Sequence, residues 1–257
     1  MFLGRILTVE TQEIKQGRNS SGVDPDRTSW SEHGGAEKLY LMMLRIFYVI
    51  AMPACEAIGL VDFVPQGAGY RGSEPYSNVL LRAAAWVAQQ SSVRFTNVKC
   101  IELKIKEGEC DTQRTYYTEH ANRRTNYAKF LRIAYVHSAS GVQAPSPPLQ
   151  LSYKCFSPYP LGSWGTYETM SQTLQRMSAW MAATGARVLS AETCAMRLMT
   201  GGERHNGAES TYTYNRGERN EVYIYVIRTY LDGYYREPDP SQLPPVPEMP
   251  DDCCTIL

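Results

Sequence analysis

The chain repeats itself. Leu80, Arg82, Ala85, Trp86, Ala88 and Cys100 recur at one constant spacing as Leu174, Arg176, Ala179, Trp180, Ala182 and Cys194. Phe63 and Pro65 foreshadow Phe156 and Pro158 in the same way. Beyond a small insertion, Thr115, Tyr116, Arg123, Tyr127 and Arg132 are echoed by Thr211, Tyr212, Arg219, Tyr223 and Arg228. Whatever backbone one copy adopts, the other must adopt as well. The period is longer than solenoid repeats have and two copies do not make a stack, so the expectation is a pseudo-symmetric pair that completes one core. The copies are placed at 60–137 and 149–233, joined by 138–148, a Ser/Pro-rich connector.

Each copy is read from its periodicities. A short strand, Leu60–Val64 in the first copy and Leu149–Tyr153 in the second, leads through a Gly/Pro-rich loop into a helix. Ser73 with Pro75, and Thr166 in the second copy, are the entry residues. Met170, Leu174, Met177 and Met181 fall on one helical stripe bordered by Trp180, which predicts a helix packed on a sheet. After each helix come β-rich runs. In the last of them Val222, Ile224 and Val226 alternate with Tyr223, Tyr225 and Ile227, the period of a strand with one buried face. Helices are too few to cover both faces of a parallel sheet. The predicted fold is therefore α+β, with two tandem β-α-β-β(β) repeats forming antiparallel sheets and helices on one face.

The flanks read differently. Residues 1–38 mix charge, glycine and serine without a sustained period and are expected to be a disordered lead. The apolar run that opens 39–59, Leu39 to Pro53, is shorter than a bilayer-spanning helix needs and carries Arg45. It is read as a buried or interface-lying helix ending before Pro53, with a transmembrane span as the competing reading. Residues 234–257 are dense in proline and are expected to form an extended stalk.

Acidic and basic residues balance at 26 each, so no global field draws the chain onto nucleic acid. The seven cysteines include no C-x-x-C pair and no nearby histidines, which argues against a structural zinc site. No basic start with an apolar run and a small-residue cleavage site opens the sequence, so a secretory signal is not expected.

The last residues, Cys254-Thr255-Ile256-Leu257, match C-a-a-X with a terminal leucine, the pattern for geranylgeranylation of Cys254, with the carboxyl methylation that accompanies such tails. The ending resembles the tails of Rho-type small GTPases and of heterotrimeric G-protein γ subunits. The resemblance stops there, because the body has no G-x-x-x-x-G-K-[ST] phosphate loop. One prenyl chain gives only reversible membrane binding, so a second signal is expected. Residues 237–252 hold acids and no Lys or Arg, which removes the polybasic route. Palmitoylation of Cys253 is the leading second signal; the segment around Ile46 to Ile50 and a membrane-bound protein partner are the others.

Gly67-Ala68-Gly69-Tyr70-Arg71-Gly72 fits G-x-G-x-x-G, yet its counterpart Leu161 to Gly165 does not, so an entry loop is the better reading than a dinucleotide site. The turns bearing His120, Arg123 and Arg124, and Arg216 and Arg219, occupy equivalent places in the copies. Brought together they would make an anion-binding or partner-binding patch; solvated turns are the competing reading. No Ser/His/Asp, Cys/His or paired-carboxylate set is recognisable by spacing. Two β-α-β-type units with an aromatic-lined sheet, and Arg219-Asn220-Glu221-Val222 before an apolar strand, resemble SOUL-type haem-binding proteins, which would imply a small-molecule ligand. The sequence thus points to a non-enzymatic, prenyl-anchored adaptor on the cytosolic face of a membrane. It would hold a protein partner and need no cofactor. The alternatives are a small-molecule binder, haem-type included, and an enzyme acting on an anionic membrane-associated substrate.

Overall fold

The computed structural model describes residues 4–16, 38–50, 56–68, 72–119, 125–138, 148–161, 166–200, 203–204, 207–215 and 221–247. They form two compact units. The first is Met1–Ala83, Gln90–Pro147 and Glu209–Glu218; the second is Ala84–Gln89, Pro148–Ala208 and Arg219–Leu257. Among the described residues all strand pairs are antiparallel and there are two α-helices, so the class is α+β.

In the first unit, β1 (Gly4–Gln16) pairs with β2 (Lys38–Ile50) along its whole length, with a bulge at Leu7. The second sheet is centred on β6 (Thr125–Ser138). It has β3 (Glu56–Phe63) on one side and β4 (Val93–Lys104) on the other. The short strand β5 (Tyr116–Glu119) borders β2. The helix α1 (Tyr76–Val87) lies between β3 and β4 in sequence and buries Tyr76, Val79, Leu80, Ala83 and Val87 at helical spacing.

The two sheets of this unit face each other across apolar side chains. Ile6, Val9 and Ile46 meet Ala134, Val136 and Ile58, while Tyr40, Met42 and Tyr117 meet Ile101, Leu103, Tyr127 and Phe130. Polar clasps close the seam. Arg94 donates to Glu56 at 2.7 Å and to the Ile6 carbonyl at 2.8 Å, and Glu56 also accepts the Ile6 N–H. Arg132 forms a two-pronged pair with Asp62, both bonds 2.7 Å, and reaches Thr11 across the seam.

Two sequence expectations are corrected here. Within 1–38, residues 4–16 are a strand, because Ile6, Val9 and Thr11 supply a buried face for the second sheet. Within 39–59, the apolar run is β2 followed by the start of β3. Alternating Met42 and Ile46 point into the sandwich, and β1 supplies a full-length backbone partner that a helix would not use. Among the described residues no helix is long and apolar enough to cross a membrane.

In the second unit, β7 (Leu151–Phe156) and β8 (Arg187–Thr200) flank β11 (Glu221–Asp232), and the two-residue β9 (Glu203–Arg204) lies outside β8. The remaining strand, β10 (Tyr212–Asn215), comes late in the chain but belongs to the first unit, where it pairs with the start of β6. The helix α2 (Met170–Thr184) is set by its ends. Thr169, not Thr166, is the N-cap and forms a capping box with Gln172, and Gly185 closes the helix in the left-handed region at φ 63°.

Thr173 and Trp180 are buried on α2 and Met177 and Met181 pack half-buried against the same cluster, whereas Met170 and Leu174 are exposed at 37% and 41%. The expected stripe is thus rotated toward Trp180. The tryptophan carries the largest apolar area on the helix and so decides which side faces Phe156, Ile227 and Leu231.

Candidate functional site

The C-terminal segment does not form a free stalk in its described part. After β11 the chain turns back over α2. Tyr235 accepts the Arg187 N–H at 2.9 Å and sits edge-on to Trp180, with ring centroids 6.2 Å apart. Asp239 caps a 3-10 turn, Pro240–Gln242, and Leu243 packs onto the cluster of Phe156 and Trp180. Tyr235 and Leu243 are the apolar side chains interspersed among the prolines, and Trp180 gives them somewhere to bury. Pro240 opens the 3-10 turn, and Pro238, Pro244 and Pro245 flank it.

Between this segment, β7 and α2 runs a groove of about 560 Å³. Phe156 and Trp180, perpendicular at 5.8 Å, form its base, and the prolines with Leu243 and Val246 form one wall. Lys154, Ser157, Tyr159 and Arg176 also line it, and the Lys154 ammonium lies 5.7 Å from the Trp180 ring centroid. A groove of this size with an aromatic base is within the range of small-ligand sites.

The charged groups in the lining already have partners. Lys154 donates to Glu237, and Glu237 also accepts the Trp180 indole N–H at 3.1 Å. Arg176 stacks 4.0 Å above the Tyr159 ring, donates to the Ser157 carbonyl at 2.6 Å, and forms three bonds of 2.7–3.0 Å with Glu168. Glu168 in turn accepts the Tyr159 N–H at 3.0 Å and thereby fixes the loop that leads from β7 toward α2. The thiol of Cys155, also in the lining, is pushed upward in pKa chiefly by burial, against the opposing charge of Arg228. It is therefore a poor nucleophile at neutral pH. Chemically the site offers proline and aliphatic side chains beside two cations that carboxylates already neutralise.

His120, Arg123, Arg124, Arg216, Arg219, Cys253 and Cys254 all lie outside the described residues. The flanking strands are placed: Asn215, which precedes Arg216, pairs with Thr125, which follows Arg124. Of the G-x-G-x-x-G loop, Gly69 to Arg71 are also outside them. Among the described residues no cluster of His, Cys, Asp and Glu is arranged to hold a metal. Sequence reasoning missed the groove. Its available signal was a tryptophan on the helix together with a downstream proline-rich segment, since aromatic faces commonly receive extended prolines.

Comparison with family models, with curated proteins and with solved structures finds no match for this chain.

Proposed function

We propose that the chain is a prenyl-anchored binding protein of the cytosolic face of a membrane, built from two copies of one β-α-β-β(β) unit, with the groove on the second unit as its ligand site. The observation that carries the binding reading is the groove itself: an aromatic base, a wall of prolines, cations already matched by carboxylates, and a thiol held in its unreactive form.

Duplication is supported by bonding as well as by sequence. Glu74 accepts the Gln66 N–H and two bonds from Arg82, and Arg82 also donates to the Val64 carbonyl. Glu168, Tyr159, Arg176 and the Ser157 carbonyl repeat that arrangement at the positions the repeat predicts. The strand orders β3-β6-β4 and β7-β11-β8 repeat as well.

Anchoring rests on the tail pattern. Support for a second apolar contact comes from the end of β2, where Phe47, Tyr48, Val49 and Ile50 are 42–82% exposed, joined by Leu7 at 52%. The test is the distribution of the full-length protein in cells beside its Cys254→Ser variant. The proposal expects the wild type in the membrane fraction and the variant in the soluble one. An identical diffuse distribution for both contradicts it.

A further inference from the structure

We propose that the groove on the second unit is the resting place of the chain's own geranylgeranyl group when the protein is off the membrane, so that groove and bilayer compete for one lipid. The inference rests on the reading of Cys254 as the prenylated residue and adds to it an intramolecular acceptor.

Pro244, Pro245 and Val246 are wall residues of the groove, and the described chain ends at Pro247, directly after them. Cys254 lies seven positions beyond Pro247. A chain of that length spans at most about 25 Å, which is enough to return to a wall that it has just left. A tether so short gives an effective concentration in the millimolar range.

Four prolines of the wall, Pro238, Pro240, Pro244 and Pro245, have no backbone N–H to strand when hydrocarbon covers them. Lys154 is matched by Glu237 and Arg176 by Glu168, so neither lining cation requires an anionic ligand. Val246 is 62% exposed beside the packed Leu243, and it is the apolar surface that a lipid would cover. The volume of about 560 Å³ suits a branched hydrocarbon chain.

Residues 237–252 carry acids and no Lys or Arg. A single lipid chain on such a tail binds membranes only marginally, so a tethered apolar groove is able to hold an appreciable share of it. Occupancy would thus set how much of the protein is membrane-bound, and any event that fills the groove would release the anchor.

The test uses the geranylgeranylated full-length chain, verified by intact mass, floated on neutral phosphatidylcholine vesicles. Ser157→Phe and Val246→Arg alter the groove at its walls and leave the base intact. The prenylated variants are expected to bind vesicles several-fold more than the prenylated wild type, with unprenylated forms failing to bind. In parallel, S-geranylgeranyl cysteine methyl ester titrated into the Cys254→Ser chain is expected to shift tryptophan emission, a shift lost in Trp180→Phe. Equal vesicle binding by wild type and variants overturns the proposal, as does absence of binding by the added thioether. A tail found unmodified in cells fails the anchoring reading itself. If the thioether still binds such a protein, the groove belongs to another molecule's lipid and the tethered form is overturned.

Discussion

Arg176 holds Glu168 through three bonds of 2.7–3.0 Å, with the two side chains 15% and 4% exposed. That pair ties the loop after β7 to the first half of α2, and the groove is built on that junction. Removing the guanidinium would leave a buried carboxylate without its counter-charge, which costs about 3–5 kcal/mol. Arg82 makes the corresponding pair with Glu74 but is 39% exposed, so water replaces part of what is lost. We expect Arg176→Ala to lower the stability of its unit by about 3–5 kcal/mol and Arg82→Ala by clearly less, read from urea unfolding followed by circular dichroism. Equal effects would contradict the assignment of burial as the cause.

Acid should weaken the first unit. Hydrogen bonds from Arg82 hold the Glu74 carboxyl below its usual value of 4.5, against burial and with help from the Gln66 N–H. At Glu56 burial is the largest influence and acts upward, but hydrogen bonds from Arg94 and the Ile6 N–H, with the charges of Arg94 and Arg5, outweigh it and the net shift is again downward. Because the folded values lie below the unfolded ones, the unfolded chain binds more protons in between. The stabilisation is complete above the usual carboxylate value and is lost as pH falls through the folded values. Thermal melts should therefore be flat from neutral pH to about 5 and fall steeply below about 4.5. In Glu56→Gln/Glu74→Gln the neutral-pH melting point should be lower and the acid slope shallower. An unchanged slope would show that other groups control it.

Two thiols should resist alkylation. Burial pushes Cys110 up to about 11, and Cys155 is raised for the same primary reason. On thiolate fraction alone, Cys110 at pH 8 should react about a hundredfold more slowly than an unperturbed cysteine. Iodoacetamide labelling followed by peptide mass spectrometry, native against urea-unfolded, measures it. Fast native labelling of either residue would contradict their placement.

The exposed end of β2 should matter for association and little for folding. Ile50 is 82% exposed, so Ile50→Lys is expected to change stability by less than about 0.5 kcal/mol. It should also weaken vesicle binding of the prenylated chain. A large loss of stability would mean that this end is covered in solution.

The antiparallel sheets and the two helices were legible from period-two runs and from helical spacing, although the second helix is entered at Thr169 and not at Thr166. Trp180, read as bordering the helical stripe, is buried, whereas Phe156, left outside the predicted strand Leu149–Tyr153, is the last residue of β7. The run from Leu39 to Ile50 was not legible. Its apolar residues satisfy both helical and alternating patterns, and what decides between them is a partner, β1, whose Glu10, Gln12, Glu13 and Lys15 obscure the buried Ile6, Val9 and Thr11. The proline segment misled for a related reason. Proline excludes a helix but does not say whether the chain stands free, and Tyr235 with Leu243 gives it a surface to lie on. The groove was invisible because it joins Lys154 to Val246 across most of the second unit.

The claim on which the rest depends is a thioether on one cysteine. It is tested most directly by mass spectrometry of the C-terminal peptide released from the full-length protein made in cells that prenylate their own substrates. The account predicts a peptide ending at Cys254, without Thr255 to Leu257, that carries a geranylgeranyl group and a methyl ester. A peptide that runs to Leu257 with both Cys253 and Cys254 as free thiols would contradict it.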